Sequence, residues 1–444
     1  MRLTVSTLPK TRKYLSADGL LARLRERFRR IPDSRTAPDI SLGDALLCGL
    51  ALFALKDPSL LAFEERRHTR NLRGLFGIGQ VPSDTRLREI LDKVDPGELR
   101  AAFQDVFRDL QRGKALEPFA FYQGAFLLAL DGTGYFSSNK VHCDSCLEKV
   151  NKQTGAVTYY HQLLGAAIVH PAFREVIPLA PEPIIQQDGT TKNDCERNAC
   201  QRLLEKIRRE HPHLKLIVIE DGLSSNAPHI AELVRHRMSF LLGAKPGDHA
   251  FLFDQWIEAH DAGAVTTLTE ELPQGHVSTL SFTDDLPLNE SHQDVRVNFL
   301  ECIETDPGGN IVKRFSWVTD LEITSDNARL LMTGARSRWK IENETFNTLK
   351  NQGYHFEHNF GHGKENLSVV FAMLMMLAFL VDQTQQLCCP LFQAVLAKQR
   401  SRRSLWDQLR SHFQHFAFTS MRHLYEVMLL DLAQEVPAPV VDTG

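Results

Sequence analysis

No stretch of this chain is apolar for long enough to make a comfortable membrane span. The longest such run, LSVVFAMLMMLAFLV (367–381), falls short of the roughly 20 residues a bilayer requires and reads as a buried helix. The first thirty residues are basic and lack the apolar core of a secretory signal. Cysteine is scarce, eight in 444 residues, and with no secretory signal that usage fits a reducing compartment. A cytoplasmic location and no membrane partner are the expectations. Charge of one sign is also lacking: the formal net charge is −4, so the global field does not advertise nucleic-acid binding. There is no internal repeat.

What is present is an ordinary composition, 43% hydrophobic and 24% charged, in a chain long enough for a large core and two or three structural units. The charge is unevenly spread. Residues 1–36 carry ten Lys/Arg against three Asp/Glu, whereas 250–320 carry thirteen acids against three bases. That division suits a basic arm that meets phosphates and an acidic module that does not, or simply two differently solvated surfaces.

Periodicity divides the chain into five segments. Residues 1–122 read as short helices, with Ser41 and Ser83 as N-caps; such helices behind a basic start suit a DNA-binding headpiece, and equally a scaffold without DNA. From 123 to 248, apolar runs (GAFLLALDGT, HQLLGAAIVHP, EVIPLAPEPI, LKLIVIEDG, SFLLGAK) alternate with amphipathic helices, which predicts a mixed α/β sheet. Residues 249–322 alternate as antiparallel strands with turn signals such as DPGGN, and are expected to form an inserted β module separate from that sheet. Helix returns over 325–350 and 365–386, in a segment bounded at 323–386. The tail, 387–444, has a basic helical stretch (KQRSRRSLWDQLRSHF) and a terminal EVPAPVVDTG that reads as disordered.

Three acids stand out. Asp131 and Asp221 each end an apolar strand immediately before a glycine. Singly, that is routine turn chemistry, because Asp caps turns and Gly permits positive φ; the carboxyl ends of sheet strands are also where α/β folds assemble active sites. The third acid lies in SRWKIENETFNTLKNQG (337–353). At roughly 100° per residue, Leu331, Ala335, Trp339, Phe346 and Leu349 share an apolar arc, with Glu342 near its middle and Arg338 at its edge. Glu344 faces the other way, with the reading of a surface ion pair. A carboxylate on a packed face requires a compensating cation, either Arg338 or a metal.

The segments LALDGT, VIEDG and RSRWKIENETFNTLKNQGYHFEHNFGHG place Asp131, Asp221 and Glu342 in the order and settings of DDE transposases of bacterial insertion sequences. Over most of 123–382 the chain resembles the group with a β-rich insertion before the glutamate-bearing helix. The resemblance implies a ribonuclease H-like core, two divalent metal ions, normally Mg²⁺, held by Asp131, Asp221 and Glu342, and cleavage of transposon ends followed by joining of the 3′-OH to target DNA. Inverted-repeat DNA and target DNA are then the partners, with a dimer on DNA because two ends must be handled together. In the group's Tyr-x₂-Arg-x₃-Glu-x₆-Lys signature, Arg338 matches the arginine. Ala335 stands at the tyrosine position and Leu349 at the lysine position, with Lys350 one residue on, about 80° from Glu342 on an ideal helix. The missing tyrosine puts hairpin-forming excision in doubt, and Glu344 remains a reserve for the third acid. A metal-dependent nuclease without strand transfer and a non-catalytic DNA-binding derivative are the rival readings.

Two other motifs invite chemistry. Cys143-x₂-Cys146 is half of a zinc site that His142 and His161 can complete, or else a pair of free thiols. HFEHNFGH places His355, His358 and His362 in a glycine-flanked loop, for which hydrogen bonding to phosphate or backbone is the simpler expectation over a transition-metal site. Trp339 is expected in the core rather than as a base-stacking platform. Ser224 and Ser225 have no base signature nearby, so serine catalysis is not supported.

Overall fold

The computed structural model describes residues 12–185 and 195–431. The expected disorder of EVPAPVVDTG and the first eleven residues of the basic arm lie outside them. The fold is mixed α/β. Its strands are β1 (Ala120–Tyr122), β2 (Ala125–Ser138), β3 (Leu147–Val150), β4 (Val157–Val169), β5 (Ile177–Pro178), β6 (Glu182–Ile184), β7 (Leu216–Glu220), β8 (Ser239–Gly243), β9 (Thr266–Glu271), β10 (Val277–Asn289), β11 (His292–Thr305) and β12 (Ile311–Thr319). All twelve belong to one open sheet, whose main path runs β3-β4-β2-β7-β8-β12-β11-β10-β9.

The centre of the sheet follows from composition. Strand β2 lies between antiparallel β4 and parallel β7, and Leu127 to Leu130 are buried at every position. All five residues of β7, LIVIE, are buried as well. Continuous apolar runs of this kind belong to strands covered on both faces, whereas a half-solvated strand alternates. β8 then pairs parallel with β7.

Two sequence expectations require correction. The β-rich segment does not stand apart from the sheet. β12 pairs antiparallel with β8, Val318 opposite Leu242, so β9–β12 extend the core sheet as an antiparallel meander. The segment expected as strands over 249–322 opens instead with a helix, Ala250–Asp261; the alternation beyond it was legible, but alternation says nothing about which edge a hairpin adds to. Second, Asp131-Gly132 is not a strand end. β2 continues through it to Ser138, and Asp131 pairs with Gly165 of β4 in mid-strand.

The glycines here serve close approach instead of a turn. A Cβ on Gly165 would lie 2.8 Å from the Phe346 ring, and one on Gly132 would lie 2.2 Å from Glu196 Oε1. Neighbouring residues of a strand point to opposite faces. The segment around Phe346 therefore packs on the face to which Asp131 points, and the Glu196–Glu210 helix approaches from the other.

The helical segments at the two ends of the chain form one body. The helix Leu367–Cys388, apolar from Val369 to Val381, is 94% buried over its most apolar window, as expected of a core helix. It packs against the helix Leu42–Ala54. Asn71 Nδ2 donates to the carbonyls of Phe413 and Phe416, both at 2.7 Å. The Asp18 carboxylate accepts from the N–H groups of Met421 and Arg422 at 2.7 and 3.0 Å, capping the last helix. The basic tail stretch turns its Leu405, Trp406, Leu409 and Phe413 inward. Much of the described basic arm is occupied within the fold: Arg23 pairs with Asp109 at 2.9 Å and Arg27 with Asp105 at 2.6 Å.

Candidate active site and metal-ligand clusters

Asp131 is held at the centre of the sheet. Its Oδ1 accepts from the Gly132 N–H at 3.0 Å and its Oδ2 from Arg338 Nη1 at 3.3 Å. Asp221 lies one residue past β7. Because Ala129 is in register with Ile219 on parallel strands, Asp131 and Asp221 stand at the same level on neighbouring strands. Asp221 does perform the turn chemistry its sequence suggests, since its Oδ1 caps the short turn Gly222–Ser224 through the Leu223 N–H at 3.1 Å.

The third acid arrives on an irregular helix. The expected helix over 325–350 is interrupted: Ala328–Arg336 is α-helical, Ser337 and Arg338 form a turn, and Ile341–Phe346 is a π-turn leading into the α-helical Asn347–Asn351. An i→i+5 turn advances fewer degrees per residue than an α-turn, so the ideal-helix faces drift. Three expectations change with it. Glu342 is exposed and not on the packed face, Trp339 is 43% exposed and not in the core, and Arg338 pairs with Asp131 in place of Glu342. Glu344 is the more buried of the two glutamates, paired with Arg174 at 3.2 Å.

Electrostatics connect Asp131 to the other two positions. Burial raises the Asp131 pKa above the ordinary carboxylate range, and the charges of Asp221 and Glu342 raise it further, against the opposing pull of Arg338 and the Gly132 N–H. Glu196 is a fourth acid that sequence reasoning passed over. Its pKa is also raised, by burial first and then by Asp131 and Asp221. Its only sequence signal is its place in an amphipathic helix, which does not reveal that the helix starts opposite Gly132.

An acid whose folded pKa exceeds its unfolded one adds stability that is fully present below the unfolded pKa and lost as pH rises through the folded pKa. Without divalent ions, the protein should therefore gain stability as pH falls from neutral through the raised pKa values of Asp131 and Glu196. Asp131→Asn should be at least as stable as wild type at pH 7 in magnesium-free buffer, and Mg²⁺ should raise the melting midpoint of wild type only. A clearly less stable Asp131→Asn would mean that the Arg338 bridge outweighs burial and repulsion.

Beside the acids runs an open cleft of about 910 Å³, lined by Lys149, Asn151, Thr158, Tyr160, Gln162 and Lys350 among others. Gln162 also lines the pocket that holds Asp131, Glu196 and Asp221, so the two spaces adjoin. Lys350 pairs with Glu357 at 3.0 Å.

No family model matches this chain, and no curated protein matches it.

Among the described residues, two clusters, the first fully buried and the second mostly so, have side chains that can hold a metal: Cys143, Cys146, His161 and His362, and Cys200, Glu220 and His229; Asp131, Asp221 and Glu342 do not form a third. The first gathers both cysteines of the anticipated half-site with one of its anticipated histidines. His142 is not in it and stacks on Tyr159 at 4.3 Å. His362, expected to bond phosphate or backbone, takes its place. The sequence could not pair it with Cys146 because 216 positions separate the two.

Proposed function

We propose that this chain is a DNA transposase of the DDE type, cutting transposon ends and joining the freed 3′-OH to target DNA. The observation that carries this reading is the placement of Asp131 and Asp221 at one level on adjacent parallel strands, with the charge of Glu342, on a later helix, also acting on Asp131. The mixed sheet, antiparallel on one side of β2 and parallel on the other, is compatible with the ribonuclease H-like core that the sequence resemblance implies.

The donor set suits hard divalent cations. Asp131, Asp221 and Glu342 offer carboxylate oxygens that do not lie within ligand distance of one another as a set, and Arg338 is the cation bonded to Asp131. Like charges gathered at one place repel unless a cation lies among them, and Mg²⁺ binds through one or two carboxylates plus substrate phosphates. Asp131, Asp221 and Glu342 would hold two ions, which when bound activate the attacking oxygen and stabilise the leaving one. Arg338 fixes the orientation of Asp131 and keeps one cation near the scissile phosphate. Lys149 and Lys350 supply charge to the DNA backbone along the cleft, and Tyr160 offers a ring beside it.

Each of the two reactions breaks one P–O3′ bond and forms one new P–O bond. Water is the nucleophile at the transposon end and leaves a 3′-OH there; that hydroxyl is the nucleophile at the target. The test is cleavage of a supercoiled donor plasmid with Mg²⁺, together with joining of a pre-cut end. Cutting without joining would favour the nuclease reading, and end binding without either reaction the non-catalytic one. The cleft lysines make a separate expectation. Lys149→Ala and Lys350→Ala should each weaken end binding and reduce the slope of log affinity against log salt by about 0.9 for every phosphate no longer neutralised. An unchanged slope in both, measured by salt titration of labelled end DNA, would remove the cleft from the DNA path.

A further inference from the structure

We propose that Cys143, Cys146, His161 and His362 bind one structural zinc ion, distinct from the acid site. Two thiols and two imidazoles form the donor set of closed, four-coordinate zinc sites, which leave no position for substrate.

The separations test the idea. A tetrahedral ion with Zn–S of about 2.3 Å and Zn–N of about 2.0–2.1 Å requires S···S edges near 3.8 Å and S···N edges near 3.6 Å, by elementary geometry. Cys143 Sγ and Cys146 Sγ are 3.9 Å apart. His161 Nε2 lies 3.4 Å from Cys143 Sγ and 3.5 Å from Cys146 Sγ, and His362 Nε2 lies 3.2 Å from Cys146 Sγ. The other cluster fails the same comparison. His229 Nε2 and Glu220 Oε2 are 2.6 Å apart, a direct charge-assisted hydrogen bond, too short for two ligands of one ion.

The surroundings also ask for an ion. His161 is 0% and His362 7% exposed, and the Nδ1 atom of each ring is buried without a hydrogen-bond partner among the described residues. Each imidazole thus turns its Nε2 to the thiols and has no other polar contact there. Ligation through Nε2 uses the thiol-facing nitrogen of each ring and leaves Nδ1–H as it is, so the thiol contacts, and not the unpartnered Nδ1 atoms, are what point to an ion. Tyr135 stacks on His161 at 5.7 Å and Phe136 lies 4.3 Å from His362, giving a dry aromatic wall. The two cysteines share one tight turn, the Cys146 N–H donating to the Cys143 carbonyl at 3.1 Å.

The site's position gives it a purpose. The cysteines lie between β2 and β3, His161 lies on β4, and His362 follows the helix that carries Glu342 and Lys350. One ion there fastens the return from the catalytic helix to the sheet, beneath the cleft that His161 also lines.

The experiment is elemental analysis of the full chain purified without added metal or chelator, a readout independent of any reaction on DNA. Wild type and His142→Ala should carry about one zinc per chain. Cys143→Ser and His362→Ala should lower zinc affinity at least about tenfold. For a variant that fails to fold, wild type exchanged into cobalt(II) supplies the answer, as the visible spectrum of a tetrahedral thiolate-bound ion is expected. Wild-type protein holding no zinc and giving no such cobalt spectrum, iron in place of zinc, or full zinc in Cys143→Ser/Cys146→Ser would each overturn the proposal.

Discussion

Asp131→Asn, Asp221→Asn and Glu342→Gln should each reduce donor-plasmid cleavage by about a thousandfold or more, equivalent to roughly 4 kcal/mol of transition-state stabilisation. The substitutions keep shape and remove charge, so binding of end DNA should survive. If the three carboxylates act as one metal-holding unit, the losses will not add, and Asp131→Asn/Asp221→Asn should be little worse than either single change. Glu344→Gln is the informative companion. Its carboxylate faces Arg174 and its charge acts on Lys340, so the variant should cut nearly as well as wild type. Normal cutting by Glu342→Gln beside an inert Glu344→Gln would transfer the third-acid role to Glu344. Strand joining from a pre-cut end should fall in parallel with cleavage, since both steps use the same oxygens on the protein.

The second large effect is on stability and lies far from the acids. Lys56 is 1% exposed, with its ammonium 2.5 Å from Asp382 Oδ2 and 3.9 Å from the centre of the Trp406 ring. The Tyr354 hydroxyl donates to the same carboxylate oxygen at 2.5 Å. Asp382→Ala leaves an ammonium buried without its counter-ion and should cost about 3–5 kcal/mol. Replacing both charges, Lys56→Met/Asp382→Leu, should recover most of that loss, because a well-packed apolar pair avoids the desolvation penalty altogether. Urea titration followed by tryptophan fluorescence reads both variants through the shift of the midpoint at unchanged slope. A double variant as unstable as Asp382→Ala would show that the pair is worth more than its burial costs.

How far the sequence reveals this molecule depends on the range of each signal. Apolar runs located β2, β7 and β8 because a strand covered on both faces declares itself locally, and the Leu367–Cys388 helix did so for the same reason. Asp131 and Asp221 were visible as acids on such strands. What periodicity missed depends on distant partners or on irregular backbone. The turn at Ser337 and Arg338 and the π-turn at Ile341–Phe346 defeated a face assignment made at constant rotation, and Trp339 and Glu342 are exposed. The preference of Arg338 for Asp131, the approach of Glu196 to Gly132 and the arrival of His362 beside Cys146 all join residues that no local window contains. The pairing of β12 with β8 belongs to the same class.

That last pairing has a consequence for how such a chain tolerates change. The polypeptide leaves the core along β8 and comes back along β12, its immediate neighbour, before entering the helical segment that bears Glu342. Departure and return are thus fixed about one strand spacing, roughly 4.8 Å, apart, whatever lies between them. The outer hairpins can lengthen, shorten or acquire new loops as an appendage while the spacing between Asp221 and the glutamate helix stays constant. Surface novelty can accumulate at that far rim without disturbing the acids at the centre.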